Sequence, residues 1–301
     1  MSSVLLSVSV ALLAGLLMTR LFKPFKLPSV TAYLISGVLI GPYCLGALHI
    51  DGLGFSSMEN VTNLALISEV ALGFIAFSIG NEFRLEDLKK TGVPVIGEIE
   101  LAYLFSKGRI VAITGTNGKT TTTALTGEIM RTFFSNVLVV GNIGTPYTSL
   151  VQTTDEDSVT VAEISSFQLE TAIDFYPRVS AVLNITPDHL NRHHTMEEYV
   201  RVKESIAKNQ TKDDFCVLNY EDPYTRDFGN RCNAGVIWFS SKQRVENGFY
   251  LDGDVICKVC GQKVTEVLRM SETNLLGDHN AENIMAAVAM CEAYGVPMDS
   301  I

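Results

Sequence analysis

Gly115-Thr116-Asn117-Gly118-Lys119-Thr120-Thr121 is the stretch whose residue types and order most directly specify chemistry. Two glycines let backbone N–H groups close around phosphate oxygens, and a helix start adds the positive end of its dipole. Lys119 brings a point charge for β and γ phosphates, and the Thr120 hydroxyl is of the kind that ligates magnesium. The spacing is not the usual one, because the residue five before Gly118 is Ile113 rather than glycine. Context carries the reading instead. The apolar run 109–114 precedes the loop, and Leu125, Ile129, Met130 and Phe133 recur behind it at helical spacing.

Further groups follow at positions that could complete a nucleotide site. Glu163 ends one apolar run and Asp188-His189 follow another, so all are expected at strand C-terminal ends, where open α/β sheets bind ligands. A carboxylate opposite Thr120 would complete a magnesium shell, although each residue alone could equally be a cap or turn residue. Lys203 lies in MEEYVRVKESIAKN (196–209) on the same stripe as Met196, Tyr199, Val200, Ile206 and Ala207. A lysine buried there would shed its proton toward neutral pH, leaving an amine that can react or become the precursor of a metal ligand. The plainer alternative is a lysine snorkelling at the edge of the stripe. His193 and His194 have no such support and read as solvated loop residues. Cys257 and Cys260 form one C-x-x-C, but no second pair follows to complete four zinc ligands.

The elements that must position these groups alternate along residues 93–301. Runs at 109–114, 137–140, 159–162 and 179–183 read as buried parallel strands separated by helical stretches, which is a doubly wound α/β sheet. Between 213 and 265, shorter β-rich runs with a hairpin turned at Asp252-Gly253 predict a small antiparallel addition. A last helix is expected over about 279–294, with Ile284, Ala287, Val288 and Cys291 on one stripe.

Residues 1–92 have another character. They carry six Lys/Arg and six Asp/Glu out of totals of 23 and 33, so the net charge of -10 belongs to residues 93–301. With 47% apolar and 19% charged residues the chain is not disordered, and with no basic cluster a nucleic-acid partner is excluded. Six scattered cysteines in 301 residues are not a disulfide framework. Three membrane spans are expected, at about 3–22, 27–50 and 61–80. A signal peptide is the alternative for the first, but the basic flank is on the wrong side and more spans follow. Arg20, Lys23 and Lys26 after span one, and Arg84, Lys89 and Lys90 after span three, put the N-terminus outside and everything after Lys90 in the cytoplasm. Glu69, inside span three, is either functional or a helix-packing residue with a partner.

PSVTAYLISGVLIGP (28–42) and EVALGFIAFSIGNEF (69–83) resemble the opening spans of monovalent cation:proton antiporters. That resemblance covers only residues 1–92 and lacks the later ion-binding spans, so it implies a membrane anchor rather than transport. An antiporter fragment with a cytosolic nucleotide-binding domain is the alternative function. Over residues 93–301, ITGTNGKTTTT together with GEIELAY (97–103), GNIGTP (141–146), EISSFQLE (163–170), NITPDHLNRH (184–193), EYVRVK (198–203) and GDHNAENIMAA (277–287) resembles the Mur ligases. These are the ATP-dependent amide-forming enzymes of peptidoglycan precursor synthesis. GEIELAY, SSFQLE and DHLNRH look most like the members that add D-glutamate to UDP-N-acetylmuramoyl-L-alanine.

The resemblance implies a central ATP-binding domain using ATP and Mg²⁺. By it, Gly115 to Thr121 bind ATP, with Lys119 on the phosphates and Asn280 and Asn283 on the adenine side. It also implies that Thr120 and Glu163 hold one Mg²⁺, that His189 and a carbamylated Lys203 hold a second, and that Asn142 and Ser165 face the muramoyl substrate. Lys119, His189 and Lys203 are the implied catalytic residues. The family's uridine-nucleotide domain is replaced here by the antiporter-like spans, and no residue matches its D-glutamate site. The sequence therefore reads as a truncated or chimeric chain, joined near 91–94 and expected not to complete the amide.

Overall fold

In the computed structural model the uncharged apolar residues near the N-terminus wind into a helix, α1 (Ser2–Phe22), followed by α2 (Ser29–Ile40) and a short α3 (Met58–Thr62). The structure describes residues 2–22, 29–48, 50, 53–55, 57–62, 69, 72, 92, 95–273, 275 and 277–301. The chain divides into two units, Met1–Val93 and Pro94–Ile301.

In the first unit, α1 and α2 pack where α1 has no side chain, since a Cβ on Gly15 would stand 3.3 Å from the Tyr33 ring. Among the described residues one apolar segment, Thr31–Leu48, is long and apolar enough to cross a membrane, and Val8–Phe22 is a shorter apolar helix. Three spans are therefore not borne out. The expected span 27–50 is also not one continuous α-helix: α2 stops at Ile40, and the chain turns through Gly41-Pro42 into a 3₁₀ turn, Leu45–Leu48. The Ile40 carbonyl there accepts a hydrogen bond from the Phe55 N–H at 2.8 Å. Of the expected third span only residues 61, 62, 69 and 72 are described, and Lys23, Lys26, Arg84, Lys89 and Lys90 lie outside the described residues.

The second unit opens with α4 (Glu98–Phe105) and β1 (Arg109–Thr114), whose β-branched run is buried from Ile110 on. There follow α5 (Lys119–Phe133), β2 (Val137–Gly141), α6 (Tyr147–Leu150), β3 (Val159–Glu163), α7 (Ser166–Leu169) and β4 (Val179–Val182). Then come α8 (Leu190–His193), α9 (Met196–Glu204), β5 (Phe215–Asn219), α10 (Pro223–Gly229) and β6 (Gly235–Ser240). The unit closes with β7 (Asn247–Asp252), β8 (Val255–Cys260), β9 (Lys263–Arg269) and α11 (Asp278–Tyr294).

The nine strands form one sheet in the order β2-β3-β1-β4-β5-β6-β7-β8-β9. Because β3 flanks β1 on one side and β4 on the other, the chain reverses its winding at β1, which opens a crevice at the C-terminal strand ends. Alternate residues feed two cores. Ile110 and Ala112 join Val140, Tyr147 and Ala162, whereas Val111 and Ile113 join Met130, Val161 and the apolar face of α11.

Two expectations about the sheet need correcting. The strands from β5 to β7 continue the parallel sheet, and only the β7–β8 and β8–β9 pairings are antiparallel. The hairpin turns at Gly253-Asp254, one residue later than expected, because Asp252 pairs with Val255 and Gly253 takes the left-handed φ of 59°. On β8, Cys257 is buried and Cys260 exposed, since residues three apart on a strand face opposite ways.

Glu100 fastens α4 to the loop that leads into β4. Its buried carboxylate accepts the backbone N–H groups of Ile173, Asp174 and Phe175 at 2.8, 2.7 and 3.1 Å. Glu100→Ala leaves three amides without an acceptor and should lower stability by on the order of 3 kcal/mol, read as the shift of a denaturant midpoint. An unchanged midpoint would contradict this assignment.

Candidate active site

The phosphate loop lies between β1 and α5, at the crevice. Gly118 caps α5 with φ 82°, and a Cβ there would stand 2.3 Å from Asn283 Oδ1 on α11, so both backbone and space demand glycine. Asn184, just past β4, holds the other side of the loop. Its Oδ1 accepts the N–H groups of Thr116 and Asn117 at 3.1 and 2.8 Å, and its Nδ2 donates to the Asn117 carbonyl at 3.1 Å. Sequence reasoning missed this clamp, because an asparagine ending a strand looks like any turn residue. Thr116 and Asn117 thus spend their amides on Asn184, which leaves the N-terminal amides of α5 for an anion.

Lys119 folds back over the loop, donating to the carbonyls of Gly115 and Thr116 at 3.0 and 2.9 Å. Burial lowers its pKa, opposed by Glu163 and Asp188. Glu163, at the end of β3, is buried and accepts the Thr120 hydroxyl and the Asn142 amide, each at 2.9 Å. Thr120 and a carboxylate therefore meet as the sequence suggested. Ser165 caps α7, accepting the Gln168 N–H at 3.3 Å, and Gln168 returns a carbonyl oxygen to the Ser165 N–H at 2.9 Å.

Lys203 is 2% exposed and donates to the Gly115 carbonyl at 2.8 Å. The inward reading of its stripe is correct. Burial first, and the nearby Lys119 second, lower its pKa to about 7, while Asp188 pulls the other way. Because the folded value lies below the unfolded one, the unfolded chain binds more protons between pH 7 and 10.5. Stability relative to a Lys203→Met chain should therefore rise with pH across that window, by up to ~1.4 kcal/mol per pH unit. A difference flat with pH would contradict a buried, proton-shedding Lys203.

Gly115, Thr116, Lys119, Asn142, Ser165, His189 and Lys203 line one cavity of about 120 Å³. His189 caps α8 at φ 50°, with its ring 4.9 Å from that of Phe167 and its Nε2 3.3 Å from Asp188 Oδ2. Asn280 and Asn283 stand on α11, where Asn283 accepts the Thr122 hydroxyl at 3.2 Å and donates to Asn280 Oδ1 at 3.4 Å. His193 corrects the sequence reading: it is buried, with Nε2 3.0 Å from Ser166 Oγ and Nδ1 3.4 Å from Glu170 Oε1. Its ring stacks on Phe167 at 5.7 Å, and burial lowers its pKa. His194 is exposed, as expected.

The family model for the Mur ligase middle domain matches residues 113–291, from the end of β1 into α11. The chain belongs to the Mur ligase family. UDP-N-acetylmuramoylalanine--D-glutamate ligase of Lachnoclostridium phytofermentans is 57% identical over 217 residues, 72% of this chain and 48% of that protein. The ligase of the same name from Lachnospira eligens is 58% identical, over 71% of this chain and 47% of its own length. This Mur ligase chain thus spans about half the length of the curated relatives it matches. Among solved structures, UDP-N-acetylmuramoyl-L-alanyl-D-glutamate--2,6-diaminopimelate ligase shares the fold, with a TM-score of 0.52 at 24% identity over 67% of this chain and 46% of that one. A second model, the transmembrane sodium/hydrogen exchanger, matches residues 8–151. Its last part crosses β1, α5 and β2, which are strands and a helix of the Mur ligase sheet.

The residues of this Mur ligase unit fit a magnesium ion. A buried carboxylate already aligned on a threonine hydroxyl is a hard-oxygen donor pair. Among the described residues no three His, Cys, Asp or Glu gather into a metal cluster. Magnesium at Thr120 and Glu163 would therefore take its remaining ligands from phosphate oxygens and water, as that ion commonly does.

Proposed function

We propose that this chain carries the ATP-binding and phosphoryl-transfer part of a ligase joining D-glutamate to UDP-N-acetylmuramoyl-L-alanine. The observation that carries this reading is the convergence of Lys119, His189 and Lys203 on one cavity, beside the Glu163–Thr120 pair. Identity of 57% to a protein named for that ligation supports the choice of substrates. In this reaction the L-alanine carboxylate takes the γ-phosphoryl group of ATP, giving an acyl phosphate and ADP. The D-glutamate amine then attacks the acyl carbon, releasing phosphate and a proton.

The amides opening α5 and Lys119 hold the β and γ phosphates, so charge growing on the transferred group meets donors already fixed. Thr120 and Glu163 would hold one Mg²⁺, which would supply charge neutralisation at the phosphates. Asn142 and Ser165 face the muramoyl substrate, and Asn280 and Asn283 serve the adenine side. Lys203, as the neutral amine, would add to carbon dioxide through its nitrogen and release one proton to solvent, and the resulting carbamate, with His189, would hold a second Mg²⁺. Carbamylation replaces the repulsion between Lys203 and Lys119 by attraction, which favours it physically.

The full chain, incubated with ATP, magnesium and both substrates, should release phosphate in a reaction that needs magnesium and Lys119. Mass spectrometry of the products then separates the whole ligation, marked by UDP-N-acetylmuramoyl-L-alanyl-D-glutamate, from its phosphoryl-transfer half. No phosphate release from a folded chain would overturn the reading.

A membrane anchor is the second part of the proposal, favoured by the apolar segment Thr31–Leu48 and the exchanger match. Residues 1–90 would enter the bilayer and the ATP-binding unit would lie in the cytoplasm. Alkaline phosphatase fused after Lys90 should accordingly be inactive in a bacterial inner membrane. An active fusion would reverse the topology.

A further inference from the structure

Among the described residues, His189 and His194 are the non-glycine residues with a left-handed φ, 50° and 65°, and they bracket the four-residue α8. Such backbone is costly for a residue with a side chain, and one helical turn is too short to enforce it, so the surroundings must. The His189 carbonyl accepts the N–H groups of Arg192 and His193 at 2.9 and 3.1 Å, and its ring lies 4.9 Å from that of Phe167 on α7. Asp188, 3.3 Å from its Nε2, belongs to the same turn and moves with it. What fixes Arg192, His193 and Phe167 therefore fixes His189. Two of these meet at one carboxylate. Glu170, just past α7, accepts Arg192 Nε at 3.1 Å and Nη2 at 2.7 Å, and its Oε1 stands 3.4 Å from His193 Nδ1. Two parallel bonds set the plane of the guanidinium as well as its distance. That plane matters, because Arg192 Cζ lies 4.4 Å from the centre of the Phe167 ring, on which the His193 ring also stacks. His193 Nε2 closes the link to α7 at Ser166 Oγ, 3.0 Å away.

We propose that Glu170 is a positioning residue for His189. Its carboxylate orients Arg192 and His193, these hold Phe167 and the α8 turn, and the turn presents the His189 ring to the cavity it lines. The consequence for catalysis rests on the reading of His189 as a magnesium ligand, whereas the placement of the ring is a property of the chain without metal. Glu170→Gln separates placement from folding. The amide keeps the size of the side chain and one acceptor oxygen but loses the charge and the second oxygen. The Arg192 side chain is 45% exposed, so this change leaves no buried unpaired charge and the fold should survive.

The test is nuclear magnetic resonance of the intact chain with carbon-13 at the histidine Cε1 positions, which gives five ring signals, from His49, His189, His193, His194 and His279. The His189 signal is the one missing from His189→Asn. In Glu170→Gln it should leave the position set by the Phe167 ring and move toward that of the exposed His194. Amide hydrogen exchange over residues 188–194 should quicken about tenfold or more, with β1 and β4 unchanged. Arg192→Lys should move the same signal, because an ammonium makes neither the two parallel bonds nor the flat contact with Phe167. In phosphate release, Glu170→Gln should lower kcat about tenfold or more and leave the ATP concentration at half-saturation within about twofold, because the displaced group is not one that holds ATP. An unmoved His189 signal with unchanged exchange would overturn the proposal, and so would a moved signal with kcat unchanged. Absence of phosphate release from the unmutated chain would instead refute the proposed reaction, and the ring signal and exchange would still decide the placement.

Discussion

A chain carrying Lys119→Ala is expected to lose magnesium-dependent ATP hydrolysis by roughly 10²–10³-fold while its unfolding midpoint barely moves. The loss follows from where the ammonium sits. It is partly buried and lines the cavity with Lys203, beside the loop amides that would hold phosphates. The stability follows from its present hydrogen-bond partners, two loop carbonyls, and from the Thr120 and Asn142 hydrogen bonds that Glu163 keeps without it. Lys119→Arg should rescue little, because a planar guanidinium fork does not reproduce the compact point charge that the ammonium holds over the two loop carbonyls. Hydrolysis within a few-fold of the unmutated rate in Lys119→Ala would remove the loop from the chemistry.

Gly118→Ala should damage both fold and binding. A left-handed φ costs a non-glycine residue about 1–2 kcal/mol. The added Cβ also meets Asn283 Oδ1 at 2.3 Å, and that oxygen is fixed on α11 by the Thr122 hydroxyl. Either α11 or the first turn of α5 must move, and that turn carries the amides left for phosphate. Denaturant melts should show a loss of about 2 kcal/mol or more, and ATP affinity should fall at least tenfold, ~1.4 kcal/mol. Adding Asn283→Ala should recover part of the stability, because the two sites share one contact. An additive double variant would place the strain elsewhere.

Much of this architecture is legible in the residues themselves. The β-branched runs of β1, β3 and β4 have no polar face, which only a sheet covered on both sides requires, and Lys203 betrays itself by sitting on the stripe of Tyr199 and Val200. Contacts made by tertiary structure alone stay hidden. The side chain of Asn184 clamps the loop across 67 residues of sequence to Asn117, and His193 is buried because Phe167 and Ser166 arrive from α7. The parallel direction of β6 and β7 was missed because only six residues connect them, a length that normally makes a hairpin. The end of α2 was written in Gly41-Pro42, but hydropathy averaged over a span passes across it.

Calorimetric titration of the folded full chain with ATP, with and without magnesium, tests most directly the claim that the loop, Glu163 and Lys203 form one nucleotide site. Saturable binding at one site per chain that requires magnesium and disappears in Lys119→Ala is the predicted result. Absence of heat from the unmutated chain, or binding that Lys119→Ala leaves intact, would contradict it.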